Sequence, residues 1–341
     1  MTREGPGKTL RHCSTQDLAE ANWPRSSPTA SCRSRNPNAP SGEMMRTDVE
    51  FSSHNTRCAA WYYRPRNTGH TVPCVVMAHG FSGVREQRLD AYAERYCDAG
   101  MAVLLFDYRH FGDSDGAPRQ LLSIGRQLQD WKAAIAFART LPDVDPERIA
   151  LFGSSLSGGH VLSLAAHDPA IAAVIAQVPT CDGLRNLPPL GVAHLTRLML
   201  AGVYDVVRSL LGLSPFYIAA AGAPGSLAAM ATHEALPWFN EVTPAKTTWV
   251  NKVAARIALA YGTYRPIKGV HRILCPTLYC IGEQDQRLAP AKLAHAAAMR
   301  TPASEVKVYP CDHFGLYCGP LWERAVADQT AFLVRHLDPA D

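Results

Sequence analysis

The chain reads as an α/β protein, a doubly wound, mainly parallel sheet with helices on both faces, and three observations predict it. Continuous apolar runs such as CVVMAHG and MAVLLFDY end in turn or polar residues, as strands buried on both faces do. Runs with helical spacing, among them LDAYAERYCDAG and SIGRQLQDWKAAIAFARTL, fall between those strands. The alternation continues almost to the C-terminus, and β/α alternation builds a parallel sheet through right-handed crossovers.

Residues 1–43 stand apart. They are rich in Ser, Thr, Pro and Arg and lack apolar periodicity, which predicts a disordered extension. No continuous apolar stretch suggests a signal peptide, and Glu4, Asp17, Glu20 and Glu43 disfavour a transit peptide. Met44 and Met45, just ahead of the first patterned run, leave open a natural start there. RTDVEF and RCAAWYYRP then alternate around the polar SSHN and predict a hairpin. CVVMAHG predicts a buried strand, LDAYAERYCDAG a helix closed by Gly100, MAVLLFDY a strand, and SIGRQLQDWKAAIAFARTL an amphipathic helix. RIALFG is a strand, the run after SSLSGG a helix, and IAAVIAQV a strand. TLYCIG, KLAHAAAMR, SEVKVYP and a C-terminal helix ending near HL complete the series.

One interruption falls between about Pro179 and Arg265. It reads as helical and loopy, without strand runs, and VAHLTRLMLAGVYDVVRSLLGL carries apolar residues at helical spacing. Arg197, Asp205 and Arg208 break that run and argue against a membrane span. An excursion leaving the strand ends is expected to cap the carboxyl edge of the sheet, where open α/β folds bind ligands; a peripheral decoration is the alternative. The expected organisation is a core over residues 44–178 and 266–341, with a helical cap inserted over 179–265.

Composition limits the partners. The 341 residues are 47% hydrophobic and 19% charged, ordinary for a globular chain. A net charge of +4 without Lys/Arg runs gives no support to nucleic acid or a membrane surface. Ten scattered cysteines include no CxxC pair and no Cys/His cluster with zinc spacing, so no metal or cofactor site is expected. Cys74 and Cys280 sit in strand runs as small hydrophobes. Cys311 and Cys318 bracket a histidine, where a disulfide or redox role is the minority reading, and the chain reads as reduced and cytoplasmic. Oligomeric state is left open, a homodimer included.

The sharpest motif is FGSSLSGGH, Phe152 to His160, where a strand runs directly into a helix. A nucleophile on so tight a turn needs small residues two before and two after it. Ser154 would have Phe152 and Leu156 there, both too large. Ser157 lies inside the first turn of the helix. Ser155, flanked by Gly153 and Ser157, is the candidate nucleophile, although Ser157 replaces the second glycine of the GxSxG pattern.

A serine hydroxyl needs a base and an acid to orient that base. Asp285 follows the strand TLYCIG and His313 follows SEVKVYP, in the order Ser, acid, His expected of a doubly wound hydrolase. Glu283 is a competing acid, while His295 and His271 are misplaced as bases. The oxyanion is expected to be held by the backbone amides of Leu156, after the nucleophile, and Phe81, in the MAHGFSG loop.

HGF at 79–81, GSSLSGG at 153–159, GEQD at 282–285 and DHF at 312–314 together resemble the α/β-hydrolase superfamily over nearly all of Met45 to Asp341. DYRHFGDSDG adds Asp107, Arg109, Gly112 and Ser114, which the resemblance implies are structural. More narrowly, HGFSG and GSSLSGGH with an intervening cap look like the dienelactone-hydrolase-like group that includes fungal polyketide transferases and thiohydrolases. Dienelactone hydrolases proper carry cysteine where this chain has Ser155. The elbow holds no aspartate, unlike the haloalkane dehalogenases and epoxide hydrolases of this fold.

The expected function is hydrolysis of a small carboxylic ester or thioester with an apolar group, through an acyl-enzyme on Ser155. Acyl transfer to an alcohol by the same intermediate is the nearest alternative and peptidase activity a distant third. A catalytically silent ligand-binding module is the alternative from another class.

Overall fold

The computed structural model describes residues 45–66 and 69–337; the extension over 1–43 lies outside the described residues. β1 (Met45–Ser53) and β2 (Thr56–Arg64) form the expected antiparallel hairpin. Its two loop residues, His54 and Asn55, both take positive φ, the backbone that matches a tight hairpin to strand twist. β3 (Val72–Ala78), α1 (Leu89–Asp98), β4 (Ala102–Phe106), α2 (Ile124–Ala138), β5 (Val144–Ser154), α3 (Leu156–Ala165) and β6 (Ala173–Gln177) follow in alternation.

The excursion then leaves the sheet as α4 (Val192–Leu210), β7 (Tyr217–Gly222), β8 (Ala228–Ala231), α5 (Ala235–Val242), β9 (Val253–Ala254) and α6 (Ile257–Tyr261). The chain returns through β10 (Thr277–Gly282), α7 (Ala291–Ala298), β11 (Ser304–Tyr309) and α8 (Gly319–Leu337). An eight-stranded sheet takes the order β1-β2-β4-β3-β5-β6-β10-β11, antiparallel in its first two pairings and parallel thereafter.

Every residue of β3, β4, β6 and β10 is buried, which is why these segments read as unbroken apolar runs. Successive side chains alternate between two cores. Val76, Leu104, Leu151, Val174 and Tyr279 face α2, α3 and α7, while Val75, Met77, Val103, Phe152 and Leu278 face α1 and α8. Burying each such aliphatic side chain stabilises the fold by about 1.5–3 kcal/mol before entropy is counted.

The structure differs from the sequence reading in the excursion, which also carries a three-stranded sheet, β8-β7-β9. Its longest strand reads YIAAAG, without a β-branched or aromatic run to announce it. Pairing partners far along the chain make it a strand. Asn251 also clamps it, accepting from the Ala221 amide and donating to the Ala221 carbonyl, both at 2.9 Å. α4 is pinned by the buried Asp205, whose carboxylate accepts from the amides of Phe216 (2.8 Å) and Arg256 (2.9 Å) and from the Arg256 guanidinium. No helix among the described residues is long and apolar enough to cross a membrane.

Cys58, Cys74, Cys97, Cys181, Cys275, Cys280 and Cys311 are free. Cys318 is disulfide-bonded, a departure from the fully reduced chain that was expected. It is partly buried just before α8, at the margin of the apolar cluster that encloses Cys280.

Candidate active site

Parallel strands place all their carboxyl ends on one edge, so the loops after β3, β5, β10 and β11 converge there. Ser155 stands between β5 and α3 with φ 58° and ψ −119°, a strained conformation for a residue with a side chain. Its amide donates to the Gln177 carbonyl at 2.9 Å and its carbonyl accepts from Thr180, which fixes the turn against the end of β6. Gly153 is required there. A Cβ at that position would overlap the Ser157 carbonyl and come within 2.9 Å of the Gly158 nitrogen.

Geometry separates the three serines. Ser154 is buried and its hydroxyl meets the Tyr317 hydroxyl. Ser157 is buried and its Oγ lies 2.9 Å from the Tyr108 hydroxyl, which in turn accepts from the Trp131 indole. Ser155 Oγ alone of the three reaches an imidazole, lying 2.9 Å from His313 Nε2.

On its other side, His313 Nδ1 lies 2.5 Å from Asp285 Oδ2. Asp285 is 4% exposed and its carboxylate also accepts from the amides of Leu288 and Ala289. Burial pushes its carboxyl up, but His313 and those amides outweigh burial and hold it below the ordinary value. The group is therefore an anion that orients an imidazole, and that imidazole can take a proton from the Ser155 hydroxyl. Glu283, His295 and His271 are exposed, whereas Asp285 and His313 are buried.

Phe81 and Leu156 flank Ser155. Leu156 is the first residue of α3, where an amide has no carbonyl one turn back to meet. The loop carrying Phe81 presses close: a Cβ at Gly80 would lie 3.0 Å from Ser155 Cβ. Behind it, His79 donates from Nδ1 to the Gly80 carbonyl at 3.0 Å, and burial holds its pKa below the ordinary imidazole value. The DYRHFGDSDG loop is held by local bonds. Asp107 accepts from the Arg85 amide (2.8 Å) and guanidinium (2.5 Å), and Ser114 Oγ donates to the Asp107 carbonyl at 2.7 Å. Gly112 has φ +53°, and any Cβ on it would strike the Asp107 carboxylate.

Two cavities meet at Ser155. A cleft runs beneath α4, lined by Leu195, Leu198, Met199, Ile218, Ile257 and Leu288 among others. A second, smaller pocket is bounded by Trp238, Phe239, His313, Phe314 and Tyr317. Phe81, Ser155 and Met230 border both. Sequence reasoning named Phe81, Ser155 and His313 but missed the other lining residues, because most of them come from the excursion or from loops remote from the elbow. The one available hint was the content of Leu, Phe, Tyr and Trp in the inserted segment.

Sheet, elbow and converging loops define an α/β hydrolase. The chain belongs to the family described as X-Pro dipeptidyl-peptidase (S15 family), whose model matches residues 54–315. It is 43% identical over 288 residues to the quorum-quenching protein AidA of Acinetobacter baumannii (strain MDR-ZJ06), covering 84% of this chain and 94% of that one. It is 27% identical over 273 residues to thiohydrolase aneE of Aspergillus aculeatus, covering 76% and 85% of the two chains. Among solved structures, the α/β hydrolase GrgF from Penicillium sp. sh18 superposes with a TM-score of 0.74 at 23% identity, over 86% of this chain and 99% of that one. Family and relatives make the chain an enzyme of hydrolytic or acyl-transfer type.

Proposed function

We propose that the enzyme is a serine hydrolase of carboxylic esters or thioesters, with Ser155 as nucleophile, His313 as base and Asp285 as the acid that orients it. Ser155 Oγ attacks the acyl carbon as its proton passes to His313 Nε2. The oxyanion is held by the amides of Phe81 and Leu156, each worth about 3 kcal/mol of transition-state stabilisation. Collapse transfers the proton from Nε2 to the leaving oxygen or sulfur, and water, activated by the same imidazole, then releases the acid from Ser155. The observation that carries this reading is the unbroken chain from Asp285 through His313 to Ser155, at 2.5 and 2.9 Å, on a strained elbow at the floor of an apolar cleft.

The kinship with a quorum-quenching protein and a thiohydrolase supports a small-molecule acyl substrate. A fluorophosphonate probe tests the assignment: it is expected to label the wild-type protein on Ser155 and to leave Ser155→Ala unlabelled. Labelling that persists in Ser155→Ala would refute it. Running ester hydrolysis with an alcohol acceptor present separates water from alcohol as the second nucleophile, since a new ester product would make the enzyme a transferase.

A further inference from the structure

The two cavities differ in walls and in their relation to His313. The cleft beneath α4 is walled mainly by aliphatic side chains of α4, β7 and α6, with Phe81 and Tyr261 as its rings, and His313 does not border it. The smaller pocket is bordered by His313 and walled by rings. Trp238 stacks on Phe314 with centroids 4.7 Å apart and planes at 23°, and its ring lies 4.9 Å from that of Phe239 and 4.8 Å from that of Tyr317.

The chemistry of the acyl-enzyme assigns the two sides. When Ser155 Oγ bonds to the acyl carbon, its proton moves to His313 Nε2; when the tetrahedral species collapses, that proton must reach the departing oxygen or sulfur. The departing atom therefore lies within hydrogen-bond reach of Nε2, on the side His313 borders. The acyl group stays bonded to Oγ and must extend the other way.

Resting on the proposed hydrolase reading, we infer that the cleft beneath α4 is the acyl site and the ring-walled pocket the leaving-group site. The preferred substrate class is then an ester or thioester of an extended apolar acid whose leaving group carries a flat ring. Aliphatic walls favour a chain without demanding a shape, whereas aromatic walls reward a planar partner through offset-stacked and edge-on contacts.

Benzyl and hexyl esters test this, because their alcohols are similar leaving groups that differ in the ring. Both are measured across acyl chains from acetate to dodecanoate, in the wild-type protein, Ala258→Phe, which narrows the cleft, and Trp238→Ala, which removes a wall of the pocket. The wild-type kcat/KM is expected to rise with acyl length and to favour benzyl over hexyl. Ala258→Phe is expected to lower the dodecanoate-to-acetate ratio about tenfold or more. Trp238→Ala is expected to lower the benzyl-to-hexyl ratio by up to about tenfold, with the chain-length profile retained.

A swapped response, with Ala258→Phe changing ring preference and Trp238→Ala changing chain length, overturns the assignment, as do ratios that neither variant moves. Fluorophosphonate labelling of Ser155 runs alongside. Labelling with the wrong selectivity refutes only the assignment of the two sides, whereas absent labelling of the wild-type protein refutes the hydrolase reading itself. If Ala258→Phe does not fold, by loss of its thermal transition, Leu195→Phe fills the same cleft from α4 and carries the same expectation.

Discussion

Replacing Asp285 with asparagine is a shape-conserving change whose consequence follows from the donors around it. Both carboxylate oxygens face donors: Oδ1 accepts from the amides of Leu288 and Ala289 at 3.1 Å, and Oδ2 faces His313 Nδ1 at 2.5 Å and the Ala289 amide at 3.0 Å. An asparagine must set its NH₂ on one of these sides. Toward the backbone it meets amides that can only donate. Toward His313 it faces the Ala289 amide but also a ring nitrogen that can become an acceptor by moving its proton to Nε2, so this arrangement wins. The imidazole then presents N–H to Ser155 and cannot take the hydroxyl proton. Locking the wrong tautomer costs about 10⁴ in kcat where the same substitution disables a serine protease triad, equivalent to about 5 kcal/mol of barrier. The assay is steady-state hydrolysis of a chromogenic aryl ester by Asp285→Asn, with its unfolding transition recorded to show an intact fold. A loss in kcat below about tenfold in a folded protein would refute the account of His313 as a base oriented by Asp285.

Gly153→Ala sets a methyl against the Ser157 carbonyl, in backbone that cannot give way without moving α3. It is expected to cost about 3 kcal/mol or more in urea unfolding and to abolish labelling of Ser155. His160 is fully buried between the Tyr264 hydroxyl (2.8 Å) and Gln127 Oε1 (3.0 Å), and burial pushes its pKa down to about 3. The unfolded chain protonates this group first, near the ordinary imidazole value of about 6.5, so the stability tied to it is complete above that pH and lost as pH falls toward 3. Comparing wild type with His160→Gln by urea unfolding, the gap between them is expected to shrink by about 2 kcal/mol from pH 7 to pH 5. An unchanged gap would show that His160 is not held neutral.

The alternation of strands and helices was legible because each central strand is buried on both faces, so local sequence carries the signal without help from partners. The elbow was legible for a related reason. The demand for small residues around Ser155 is steric and local, and it is met by Gly153 and Ser157, which stand within two residues of it. Asp285 and His313 could be singled out as neighbours of Ser155 because each lies just beyond a strand, and parallel strands deliver their ends to one edge. What escaped was of another kind. YIAAAG in β7 becomes a strand only through β8, β9 and Asn251, and nothing within six residues of alanine-rich sequence announces that pairing.

By itself, then, the sequence determined the alternation of strands and helices, the elbow and the chain order of Ser155, Asp285 and His313, because those depend on local sterics and on strand ends. Only the tertiary structure decided that Ser154 and Ser157 turn their hydroxyls to buried tyrosines, leaving Ser155 to His313. It also decided that two cavities of different character meet at Ser155, one aliphatic and one walled by rings. Their walls come from segments scattered between His79 and Tyr317, and a cavity is a relation among side chains remote in sequence that no short stretch contains.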